Sequence, residues 1–125
     1  MANPNLLAAT TASGTTTYYT PGGTTAVVLL ANAASSGQVY KINQIVCANV
    51  NGSSAVNATV AINSAAAGAG TNYPIISTIS VPASASVIAV DKTTAVYLME
   101  NSSIVVTSGT ASGITYTISY ESIAA

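Results

Sequence analysis

Apolar residues recur along this chain in short runs, most of them at period two, and each run stops at glycine, proline or a small polar cluster. Period two puts alternate side chains on opposite faces of an extended strand. The closing segment is the clearest case: Ile114, Tyr116, Ile118 and Tyr120 fall on one face, with Thr115, Thr117, Ser119 and Glu121 opposite. Val56, Ala58, Val60 and Ile62 alternate in the same way with Asn57, Thr59, Ala61 and Asn63. The longest run, Gln38–Val50, predicts one face of Tyr40, Ile42, Val46, Ala48 and Val50, and another of Lys41, Asn43, Ile45, Cys47 and Asn49. Further strands are predicted at 15–20, 24–32, 73–81, 84–90, 95–99 and 103–107. Val27-Val28-Leu29-Leu30 could open a short helix, but flanking Thr and Gly favour a buried strand. Pro21-Gly22-Gly23, Asn51-Gly52 and Asp91-Lys92-Thr93-Thr94 mark turns, and Ser64–Asn72 reads as a loop of small residues.

Eight or nine short strands at even spacing, with no convincing helix, predict an all-β fold: an antiparallel β-sandwich, jelly-roll-like. Residues 1–14 show neither period and read as an extended N-terminal arm. Residues 15–125 form the single sandwich domain. Leu6 and Leu7 are the apolar anchors of that arm, suited to docking on a neighbouring subunit.

Composition narrows the function. Only 4% of the 125 residues are charged, against about 25% in soluble domains generally. The polar surface must therefore be built from the 17 Thr, 16 Ser and 10 Asn. Two lysines, Lys41 and Lys92, and no Arg are too few to neutralise a nucleic-acid backbone, so no nucleic acid is expected as a partner. No apolar run reaches the ~20 residues of a membrane-spanning helix, and no membrane partner is expected. No basic, apolar leader of the secretory type is visible at the N-terminus.

Candidate chemistry is sparse. There is no His, and the three carboxylates Asp91, Glu100 and Glu121 fall in or beside separate turns and strand ends. No spacing implies a general acid–base pair, a metal cluster or a phosphate-cradling loop. The chain is read as a non-enzyme with no catalytic residue, no metal and no cofactor. Cys47, the one cysteine, sits among strand formers and reads as a buried hydrophobe. Tyr116 and Tyr120 share a face with Ile114 and Ile118 and read as core. Tyr18 and Tyr19 are adjacent, so they point to opposite faces and cannot form one flat sugar-binding platform. Together with Leu6 and Leu7 they are the candidate interface residues.

Several segments carry a resemblance: Val39-Tyr40-Lys41-Ile42-Asn43-Gln44-Ile45, Ala48-Asn49-Val50-Asn51-Gly52, Ile79-Ser80-Val81-Pro82-Ala83, the stretch from Asp91 to Glu100, and Ile118-Ser119-Tyr120-Glu121. As a set, over residues 38–122, they resemble small virion structural proteins of tailed phages of cyanobacteria and other aquatic bacteria. The resemblance implies a virion component, assembled in the bacterial host cytoplasm. The first expectation is a capsid decoration or cement protein that binds the major capsid protein or other virion proteins. A neck, tail, fibre or baseplate component is the alternative, and a carbohydrate-binding adhesion module the third. A surface with so little charge is suited to close packing against neighbours, so a homo-oligomer is expected, a trimer being favoured.

Overall fold

The computed structural model describes residues 4–124. Its strands are β1 (Thr11–Tyr19), β2 (Val27–Asn32), β3 (Gln38–Asn49), β4 (Val56–Asn63), β5 (Asn72–Val81), β6 (Ser86–Val90), β7 (Val96–Leu98), β8 (Ser102–Ser108) and β9 (Ile114–Ala124). Among the described residues the only helical pieces are 3-10 turns at Leu6–Ala8 and Lys92–Thr94. The strands form two antiparallel sheets. One has the order β1-β9-β3-β6, with β7 also on β3; the other has the order β2-β8-β4-β5.

This order follows a nested plan. The first strand pairs with the last, β2 with β8, β3 with β6 and β4 with β5. A long hairpin rolled up in that way is a jelly roll. The sandwich interior is filled from both sheets: Ile42, Ile45, Cys47, Ile114, Tyr116 and Ile118 from one, and Val56, Ala58, Val60, Ile104 and Val106 from the other. Tyr116 is wholly buried and donates its hydroxyl proton to the Thr107 carbonyl of the opposite sheet. Tyr120 packs against Tyr40, with ring centroids 5.1 Å apart. Both tyrosines thus take the inward positions that the alternation of the last strand predicts.

β3 departs from its predicted faces. Ile42 stands opposite Tyr120 but Gln44 stands opposite Ser119, so Asn43 is one residue more than the ladder needs. Such a bulge reverses the alternation beyond it. Tyr40 and Ile42 therefore share the inner face with Ile45, Cys47 and Asn49, and Val46 and Ala48 turn outward. The mixed polarity of the unbulged pattern is the trace of this shift.

The N-terminal boundary also moves. β1 starts at Thr11, so residues 11–14, read from the sequence as arm, lie in ladder with Ala124, Ile123, Ser122 and Glu121. Before them, Asn5 caps the Leu6–Ala8 turn by accepting the Leu7 N–H at 3.0 Å.

Asparagines fasten the corners. β2, β3 and β4 each end on a buried one: Asn32, Asn49 and Asn63. Asn32 donates to the carbonyls of Gln38 and Leu98, at 3.0 and 3.1 Å. Asn49 donates to those of Ser54, Val81 and Pro82 and accepts the Asn51 N–H. Asn63 donates to the carbonyls of Gly68 and Gly70 and accepts the N–H groups of Ala65 and Gly70. Turn backbone brought inside must find partners, and a side-chain amide supplies donors and an acceptor together. The loop that Asn63 organises lies over the outer face of its sheet. There Ser103 donates to the Ala65 carbonyl at 2.7 Å, and Gly68 and Gly70 come close to Val28 and Ser64 respectively. A Cβ on Gly70 would crowd Ser64 Oγ and come 3.0 Å from the Ala65 backbone nitrogen, so a larger residue here forces the loop to give.

Candidate functional site

The described polar groups that could do chemistry are separated and already engaged. Asp91 precedes the second 3-10 turn and accepts from Thr93 and Thr94, which holds its carboxyl below the usual aspartate range, the Thr93 side chain contributing most. Glu100 lies between β7 and β8 and accepts the Gly37 N–H at 3.1 Å. Glu121 stands opposite Lys41 in the β3–β9 ladder, a favourable cross-strand pairing of opposite charges. Cys47 is fully buried, and burial pushes its thiol up to about 12. A thiol so disfavoured as thiolate is packing rather than a nucleophile. Among the described residues no three of His, Cys, Asp and Glu are grouped as a metal site. No helix of the described chain is long and apolar enough to cross a membrane.

What the surface offers instead is apolar side chains and an open strand. Leu6, Pro4, Val39, Tyr97 and Met99 line a shallow groove of about 320 Å³ on the outer face of the β1 sheet. Val39 is buried at its floor, while Leu6, Tyr97 and Met99 remain largely exposed. Leu6 thus lies along the chain's own sheet. Leu7 is 98% exposed beside it. An apolar side chain left that open contributes nothing to this subunit's core; its burial elsewhere is worth about 1.5–3 kcal/mol.

β1 is the second feature. It hydrogen-bonds to β9 alone, and eight of its nine residues are exposed, with only Thr17 half-buried. Tyr18 is 73% exposed and Tyr19 47%. Leu6 and Leu7 sit near the Thr11 end of this strand and the tyrosines at the other, roughly 25 Å away at the rise of an extended chain. The four residues singled out in the sequence therefore occupy two separate places. Tyr97 and Met99 lie in and just after the short β7, within the predicted strand 95–99, where so few residues do not show which side is exposed.

No protein-family model matches the chain, and no curated protein matches it. Among solved structures it is similar to a protein of Bacillus endospore appendages, described as a family of disulfide-linked pili, with a TM-score of 0.51 and 16% identity. That match covers 91% of this chain and 86% of the other. Chains of infectious bursal disease virus also align, with TM-scores of 0.41 for the Gt strain at 10% identity and 0.42 for the Gx strain at 9%. They cover 91% and 88% of this chain but only 31% and 28% of the viral chains. At these identities the likeness to the appendage protein is one of fold: this chain is a jelly-roll β-sandwich.

Proposed function

We propose that the protein is a non-enzymatic structural subunit of a virion, a capsid decoration protein of a tailed phage that attaches to the major capsid protein through its N-terminal segment. The observation that carries this reading is Leu7, an almost fully exposed leucine beside an apolar groove, on a chain with five charged residues. Exposed apolar clusters on otherwise polar surfaces are contact sites. The covalent linkage named for the Bacillus appendages is a less suitable model, since the sole cysteine, Cys47, is buried in the sandwich. Attachment by packing and hydrogen bonds fits the residues available.

Two measurements test the proposal. Gel quantitation of purified particles is expected to show copies in proportion to the major capsid protein; a few copies per particle would assign the chain to neck or tail instead. Replacing Leu7 with Ser is expected to release the protein from particles while leaving its fold unchanged. Equal retention of the variant would overturn the role of the N-terminal segment.

A further inference from the structure

The two sheets have four edges, and three of them are interrupted. β2 breaks register with its neighbour between Val28 and Leu30. β5 breaks register twice, contains Pro74, and holds Thr78 at φ 50°, a left-handed conformation rare for a β-branched residue. The edge beyond β3 is shared by the five-residue β6, which has a register break, and the three-residue β7. Bulges, prolines and shortness are the ordinary means of keeping sheet edges from pairing with other chains.

β1 has none of these devices. It runs nine residues in unbroken register with β9 and carries no charge, no proline and no bulge. Its far edge therefore presents a full row of backbone donors and acceptors with no partner in the ladder. We propose that this edge recognises itself: two copies join antiparallel through β1 about a twofold centred on Thr15, making one continuous sheet of their two β1 sheets. A second copy is the occupant because only another β1 offers an edge as long and as regular. Centring on Thr15 brings all nine residues into the ladder. Thr15 then faces its counterpart, Ser13 faces Thr17, Gly14 faces Thr16, and Tyr18 and Tyr19 face Ala12 and Thr11. Hydroxyl meets hydroxyl, each ring meets a small side chain, and no like charges oppose, which are the favourable cross-strand combinations. An isologous contact closes at two copies, in place of the threefold that composition suggests.

The self-facing residue supplies the test. Directly opposed residues of an antiparallel pair have Cα atoms about 4.5–5.5 Å apart, within the range a disulfide spans. The native Cys47 is buried and is expected to stay silent under mild oxidation. In free protein, sedimentation of the wild type is expected to give twice the 12.3 kDa monomer mass. Thr15→Cys is expected to convert most chains to a covalent dimer, and Ala55→Cys, at an exposed turn, to leave them uncross-linked. A monomer at the highest soluble concentration overturns the proposal. So does a dimer that Thr15→Cys fails to capture, or one captured equally by Ala55→Cys. Particles play no part in these measurements, so their outcome is independent of the decoration reading.

Discussion

β8 and β1 are alike in length and both contain Ser and Thr, yet they occupy opposite extremes of the same sandwich. β8 is flanked by β2 and β4, and Ser103, Ile104, Val105 and Val106 are all buried. Among the described residues β1 is flanked by β9 alone, and all of it but the half-buried Thr17 is exposed. The difference follows from what covers each outer face. Over β8 lies the small-residue loop held by Asn63, which buries even the outward Val105. Among the described residues no comparable segment lies over β1. The chain thus places branched aliphatics where two ladders and two layers meet, and hydroxyls where a single ladder meets solvent. Stability resides in the first region, and the contacts proposed above fall in the second.

The sharpest way to break this contrast is to empty a site in β8. Ile104→Ala is expected to lower unfolding free energy by about 2–5 kcal/mol, through lost transfer energy and a residual cavity. Urea denaturation measures it, and a loss no larger than that of Thr15→Ala on β1 would erase the distinction. Next in size is the support of the covering loop. Asn63→Ala leaves inward-facing carbonyls and N–H groups of residues 65–70 without partners, at about 1–3 kcal/mol for a buried group left unsatisfied. Hydrogen exchange in residues 64–71 should quicken in that variant while β1 exchange stays as it was.

The third test uses pH. Burial pushes the Cys47 thiol up from its ordinary value near 9 to about 12 in the folded chain, and it raises the Tyr116 hydroxyl too. For such groups the unfolded chain sheds its proton first. Stability is therefore fully present below pH 9 and falls as pH rises toward 12, with a slope approaching about 1.4 kcal/mol per pH unit for one group. Cys47→Val is expected to flatten part of that alkaline limb, and an unchanged limb would detach Cys47 from it. The smallest effect on folding belongs to the open region. Leu7→Ser should change unfolding free energy by no more than about 0.5 kcal/mol, because the side chain it replaces makes no core contact.

Much of this architecture is legible in the sequence, and the exceptions share a cause. Strands with clean alternation, 56–63 and 114–121, appear where the pattern puts them, because each keeps a continuous inward apolar face, even where the loop held by Asn63 also covers Ala61 and Asn63 on the other side. The exchange of faces along β3 shows in the sequence only as mixed polarity, which does not say where the bulge falls; Asn43 looks like any outward polar residue until the ladder is known. The corner asparagines were equally hidden. In a chain with 10 Asn, nothing local separates Asn63, which organises a loop, from Asn57, which faces solvent. The first four residues of β1 read as arm because Thr, Ala, Ser and Gly lack the apolar alternation that burial imposes. The candidate interface residues are apolar or aromatic side chains with no evident core to join in the sequence. Leu7 and Tyr18 are exposed in the fold, and so are Tyr97 and Met99, which nothing in the sequence marks.

The pairing of the first strand with the last also sets a schedule for synthesis. β9 lies between β1 and β3, and it is the last strand of the sandwich to leave the ribosome. Until it emerges, β1 has no ladder at all and the β9-side edge of the twelve-residue β3 is open. Half the sandwich therefore closes only after translation has passed residue 114, in a single late step that joins segments about a hundred residues apart. The uncharged β1 waits longest in that interval, and it is during this wait, rather than in the finished fold, that the chain is most exposed to pairing with the wrong strand.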